Sequence, residues 1–216
     1  GDQQFRRSDN GRAIFNPFVG NYIMDAFATE IGSELYIFPV KNLFIMGGLT
    51  NGLIGGDVKD YGTIKKNPSI LAKIGYDNQI NDDLRIRLSS SFYNNSGTTR
   101  NTLYAGDRAG SRYFMVVEPE YIKSSSGAIE ASTASTRFTS ARLNPDFTSK
   151  VTSVMINPFV KYKGLEFFGT YEISNGLKAG ENERREFTQI AGELIYRFLD
   201  REQMYVGTRY NVVDGR

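Results

Sequence analysis

The residues able to do chemistry in this chain are charged and evenly spaced: Glu30, Glu34, Lys73, Arg85, Arg87, Glu166, Glu172, Glu193, Arg197 and Arg209. Even spacing in an extended segment puts side chains on one face, because successive residues point to opposite sides of a strand. Both signs occur along that phase, so the chemistry on offer is electrostatic. Opposed charges on one wall order water and discriminate among solutes, whereas a ring of one sign selects ions. The same groups could instead pair with each other and brace the wall. Arg85-Ile86-Arg87, with Lys73 on the neighbouring segment, is the most concentrated positive patch and the best place for an anion contact.

Catalytic readings find little support. Glu166 and Glu172 share a face but lie roughly 20 Å apart at about 3.3 Å per residue, too far for a glycosidase pair. Glu118 and Glu120 flank Pro119 in a loop, and Thr170 and the loop serines have no base nearby. Gly52-Leu53-Ile54-Gly55-Gly56-Asp57 lacks the following Lys-Ser/Thr and the helix that a phosphate loop requires. Cys, His and Trp are all absent, which removes disulfides, the usual zinc and haem ligands, and the Ser-His and Cys-His couples. A calcium site built from carboxylates stays open. The expectation is a non-enzyme without a cofactor. A net charge of +2 spread along the chain gives no footing for a nucleic-acid partner.

The elements that must position these charges are hairpins. Apolar-alternating segments pair as 28–38 with 43–50, 68–77 with 83–93, 151–162 with 165–174, and 186–198 with 203–213. Connections inside a pair are short: Pro39-Val40-Lys41-Asn42, Asn78 to Asp82, Lys163-Gly164 and Asp200-Arg201-Glu202. Those between pairs are long and polar, at 51–67, 94–150 and 175–185. Short turns at one end and long loops at the other are the layout of an outer-membrane barrel, whose periplasmic turns only reverse the chain. No apolar run approaches the roughly 20 residues of a membrane helix, whereas barrel strands need only about 9–11. Phase assigns Leu84, Ile86, Leu88, Phe167, Ile190, Leu194, Met204 and Val206 to the lipid side and the charged set to the lumen. Tyr36, Phe38, Tyr76, Phe92, Tyr93, Tyr162, Tyr171, Tyr196, Phe198, Tyr205 and Tyr210 lie near turns or loops, as girdle aromatics would. Asn157-Pro158 interrupts 151–162, and a bulge is expected there because proline cannot donate to a ladder.

The expected fold class is therefore all-β, an antiparallel transmembrane β-barrel over residues 1–216. Residues 1–27 form an outer loop or partial strand, and 94–150 a long loop that caps the outer mouth or folds inward. Tracing direction through the hairpins puts both ends at the outer face, so an internal stretch of a barrel larger than eight strands is expected.

The run from Asn144-Pro145-Asp146-Phe147 through Ile156-Asn157-Pro158-Phe159 to Phe168-Gly169-Thr170, with Gly48-Leu49-Thr50-Asn51-Gly52 and Ile173-Ser174-Asn175-Gly176, resembles porin-type outer-membrane barrels of the Bacteroidota. The likeness extends over roughly 28–213 and is similar in layout to phosphate-selective porins. Only part of a Lys/Arg ladder is present. What the resemblance implies is a protein of the cell outer membrane that passes small solutes or ions, or serves as a barrel subunit of a larger complex. Its partners would be outer-membrane lipid and lipopolysaccharide, and other envelope proteins or further copies of itself. The alternative is a soluble extracellular β-rich binding module, lectin-like or calycin-like. If the hairpin tracing holds, protease added to intact cells will cut within 94–150 and 175–185 and spare Lys41-Asn42 and Asp200-Arg201. Cleavage at the short turns from outside would reverse the orientation.

Overall fold

A computed structural model describes residues 30–52, 67–98, 101, 103–104, 121–123, 126–131, 143, 145–199 and 202–215. The strands are β1 (Gly32–Val40), β2 (Leu43–Thr50), β3 (Ser69–Gln79), β4 (Leu84–Asn95), β5 (Tyr121–Lys123), β6 (Ile129–Ala131), β7 (Lys150–Tyr162), β8 (Leu165–Leu177), β9 (Arg185–Phe198) and β10 (Met204–Gly215). Eight of them form one antiparallel meander in the order β1-β2-β3-β4-β7-β8-β9-β10, while β5 and β6 make a separate hairpin. Among the described residues no ladder joins β1 to β10, so the sheet is open at both edges.

The cross-strand register is continuous enough to assign every position to a face. Met46, Lys73, Ser91, Met155, Glu172 and Gln189 are successive partners in one row across the sheet. That face is covered: Met155, Glu172 and Gln189 have 0% exposure. The opposite face is open, with Leu88 at 55%, Ile190 at 56% and Val206 at 63%. The sheet curls around the covered face, since the Tyr93 hydroxyl on β4 donates to Glu30, just ahead of β1, at 2.9 Å. We refer to the covered face as inner and the open one as outer.

Several boundaries differ from the sequence reading for identifiable reasons. β1 runs on through Pro39 and Val40, so the first turn is only Lys41-Asn42, with Asn42 at φ 69°. A register shift between Ile37 and Val40 absorbs the proline, which an edge strand tolerates because its outward N–H has no ladder partner to lose. β8 extends to Leu177, which shortens the loop before β9 to residues 178–184. Ser126 and Gly127 lie between β5 and β6. The apolar stretch Arg112–Val117, residues 1–27 and most of 51–67 lie outside the described residues.

The bulge expected at Asn157-Pro158 is absent. β7 and β8 keep one register on either side of it, Ile156 opposite Tyr171 and Phe159 opposite Phe168. Two local features replace the missing donor. The Asn157 side-chain amide donates to the Gly169 carbonyl at 3.1 Å and lies 3.2 Å from the Thr170 hydroxyl. Gly169 also leaves room for the proline ring: a Cβ there would meet Pro158 Cγ at 2.8 Å. Gly169→Val should therefore destabilise the fold by about 1–3 kcal/mol through overpacking, and Pro158→Ala in the same chain should recover much of that loss. Additive effects in a denaturant-based double-mutant cycle would show that the two positions do not interact.

Candidate functional site

All the charged residues singled out above lie on the inner phase, but the structure does not bring them together as one patch. Arg85 makes a bidentate pair with Asp77 at 2.8 and 2.6 Å. Arg87 sits over the Phe159 ring, 4.8 Å from its centroid. Lys73 is buried opposite Ser91, further along the strand. The expected Arg85-Arg87-Lys73 anion contact is thus not assembled: Asp77 takes the most forward cation and an aromatic ring covers the next. Even phase did place Asp77 beside them, since it is four residues after Lys73, so the signal was present in the sequence.

On the other half of the sheet acids and bases pair locally. Arg209 donates to Glu193 at 2.6 Å, with both side chains almost fully buried. The two are direct cross-strand partners on β10 and β9. Arg197 lies 3.7 Å from Glu166. Glu34 accepts a bond from Tyr36 on its own strand, and Glu30 accepts from Thr50 and from Tyr93. Arg209–Glu193 and Arg197–Glu166 link neighbouring strands, and Glu30 ties the start of β1 to β2 and β4.

At the long-loop end the inner face is filled by the chain itself. Leu103, Tyr104 and Phe147 join Tyr93 and Val151 in a buried cluster, with Leu71, Phe187 and Val213 packed against it. The approach is held by extended backbone pairing: Thr98 N–H to Ser149 O at 3.0 Å, Asn101 N–H to Thr148 O at 2.8 Å, and Phe147 N–H to Tyr104 O at 3.3 Å. Phe147 meets Tyr104 and Phe187 edge-on and has the Arg185 guanidinium 5.2 Å from its centroid. Its ring occupies the space where a Gly176 Cβ would stand, at 2.4 Å. The Tyr104 hydroxyl reaches Glu172 and Ser153, the latter at 2.5 Å. This part of the long loop lies against the inner face. Tyr93, expected in an aromatic girdle, belongs to this cluster instead, bonded to Ser69 and Asn101. On the outer face Tyr76, Tyr162, Tyr196 and Phe198 do gather beside the short turns, and the last two rings stack.

Beside this plug, in the loop before β9, the Lys178 N–H and then Arg185 hold the Glu181 carboxyl below its ordinary range, while Asp146 raises Lys178. Sequence reasoning missed Tyr104 and Phe147 because loop residues carry no periodicity to reveal their direction. It also passed over Lys161 and Glu202, whose two oxygens each lie 2.9 Å from Lys161 Nζ. Among the described residues no group of His, Cys, Asp and Glu is arranged to hold a metal ion.

No protein-family model matches the chain, and no curated protein or solved structure is significantly similar to it. The arrangement itself defines an all-β, two-faced antiparallel sheet with a charge-braced inner wall and an inward loop.

Truncating Phe147 to Ala should destabilise the fold by about 3–5 kcal/mol, the range for a large aromatic removed from a packed cluster. Tyr104→Phe, which strips only the hydroxyl from a buried carboxylate partner, should lower stability by about 1–3 kcal/mol. Equilibrium unfolding in denaturant measures both. A neutral Tyr104→Phe would mean that Glu172 is satisfied without it.

Proposed function

We infer that this chain is the wall of an outer-membrane β-barrel of the porin type, with lipid and lipopolysaccharide against its outer face and small solutes or ions beside its inner one. The observation that carries this reading is the outer face itself. Across all eight sheet strands its charged residues are Lys150, Glu186 and Asp214, all at the long-loop end. Between the ends stand Leu35, Ile45, Ile74, Leu88, Val160, Phe167, Leu194 and Val206, each at least 39% exposed. A soluble monomer rarely shows contiguous apolar surface beyond a few hundred Å², whereas a bilayer demands such a band. The inner face has the opposite character, with charges from Arg85 to Arg209 paired along it.

The open edges fit the same reading. The outer phase of β1 and β10 is as apolar as that of the central strands, with Leu35 and Ile37 on one and Met204 and Val206 on the other. Inside hydrocarbon an unpaired backbone group costs several kcal/mol, so each edge would need an antiparallel partner strand. β1 descends toward the short turns and β10 ascends from them. Antiparallel pairing therefore calls for an ascending neighbour to β1 and a descending neighbour to β10, an even number of strands in all. With its charges balanced in pairs, such a wall favours weakly selective passage of small polar solutes.

Reconstitution into vesicles tests this. The protein should need detergent to stay dispersed and should insert into bilayers. Arg at Leu88 or Leu194 should destabilise the inserted fold by about 2–4 kcal/mol if the site lies near the midplane, while Ser89→Arg on the inner face should carry no such depth-dependent penalty. A protein that is monodisperse in detergent-free buffer, and indifferent to Arg at Leu88, would be a soluble β-rich binding module instead.

A further inference from the structure

At the short-turn end the inner face opens into a cavity of about 470 Å³, within the range of small-molecule sites. Its cations come from separate elements: Arg85 on β4, Lys161 at the end of β7, Lys163 in the following turn and Arg197 at the end of β9. They are not equally engaged. Arg85 is held by Asp77 and Lys161 by Glu202. Among the described residues neither the Arg197 guanidinium nor the Lys163 ammonium makes a hydrogen bond. Arg197 has only ion contacts at 3.7 Å to Glu166 and 4.0 Å to Glu202, longer than hydrogen bonds. Lys163 lies 3.8 Å from Asp83.

Backbone geometry keeps these two cations together. The Arg197 N–H donates to the Gly164 carbonyl at 2.8 Å, and a Cβ on Gly164 would stand 2.1 Å from the Arg197 carbonyl. The Tyr205 ring, 5.4 Å from the guanidinium carbon, supports the Arg197 side chain. A guanidinium fork with unused donors, positioned by an aromatic ring, matches a carboxylate in bidentate fashion. The cavity already contains three carboxylates: Asp82, Asp83 at 3.8 Å from Lys163, and Glu202, which pairs with Lys161. That pair is solvent-exposed, 32% and 42% for its two side chains, and exposed pairs of this kind contribute little. An incoming anion competes with it readily.

We propose that this vestibule binds a small dicarboxylate, one carboxylate on the Arg197 fork and the other on Lys163 and Lys161, with Glu202 as the internal competitor. The proposal rests on the inner face lining a solute path and names a solute class for its short-turn mouth.

Calorimetric titration of the detergent-solubilised protein with succinate at low ionic strength tests it. Saturable 1:1 binding is expected. Arg197→Gln should weaken it at least tenfold and Arg197→Lys should restore only part, because the fork is lost while the charge remains. Glu202→Gln should tighten it severalfold. Lys41→Gln, at the same end but outside the cavity, should leave it unchanged. Unaltered circular dichroism and heat-modifiable mobility check that each variant folds, and the Lys variant keeps the test decisive if the Gln variant does not. Equal weakening by Lys41→Gln and Arg197→Gln, or no tightening by Glu202→Gln, would reduce the effect to general charge and overturn the assignment. Inorganic phosphate binding as tightly with the same variant dependence would overturn the dicarboxylate class. Absence of succinate binding in a protein that inserts and conducts refutes this inference alone. Binding by a protein that needs no detergent refutes the membrane reading alone.

Discussion

The alternation of side chains across a pleated strand is the constraint on which everything else in this chain depends. With a period of 2, one residue of slip would exchange the two faces wholesale, placing Arg85, Glu172 and Glu193 where Leu88, Phe167 and Leu194 now stand. The register avoids this along all seven ladders of the sheet, and the one shift, between Ile37 and Val40, falls at an edge strand beside a turn. The passage of β7 through Pro158 obeys the same rule. A bulge there would have flipped the phase of the remainder of the strand, so the lost donor is replaced by the Asn157 side chain and the ring is received by Gly169.

Confining charge to one face creates a second requirement, because the inner face is too covered to leave those groups in bulk water. Burial of an unpaired charge is far costlier than burial of a pair, and the structure meets this through neighbours on adjacent strands: Glu193 with Arg209, Glu166 with Arg197, Asp77 with Arg85. Such pairs tie strands together laterally without projecting one sign of field along the wall. At the short-turn mouth the pairing is looser: among the described residues Arg197 and Lys163 have ion contacts of 3.7 to 4.0 Å to Glu166, Glu202 and Asp83 in place of hydrogen bonds.

The two ends of the inner face are consequently different environments. The long-loop end is closed by aromatic packing around Tyr104 and Phe147, with the carboxylate of Glu172 drawn into a hydrogen bond at the base of the plug. The short-turn end is open and charged.

Much of this was legible from the residues alone. The hairpin pairs, the short turns and the face of every strand follow from local alternation and from turn residues such as Lys163-Gly164, because a strand's periodicity is set within a few neighbouring residues. The phase of the charged set, Lys73 to Arg209, is read in the same way. Which acid meets which cation was not legible: Asp77 and Glu166 share the phase of Arg85, and only the register of the strands decides that Asp77 receives it. Nor were Tyr104, Phe147 and Ser153, since their meeting joins residues tens of positions apart through a loop that has no period to read. Sequence by itself determined the two-faced sheet, because alternation is local; tertiary structure decided the ion-pair partners, the packed loop and the charged cavity, because each is a contact between segments that only the register and the curl of the sheet bring within reach.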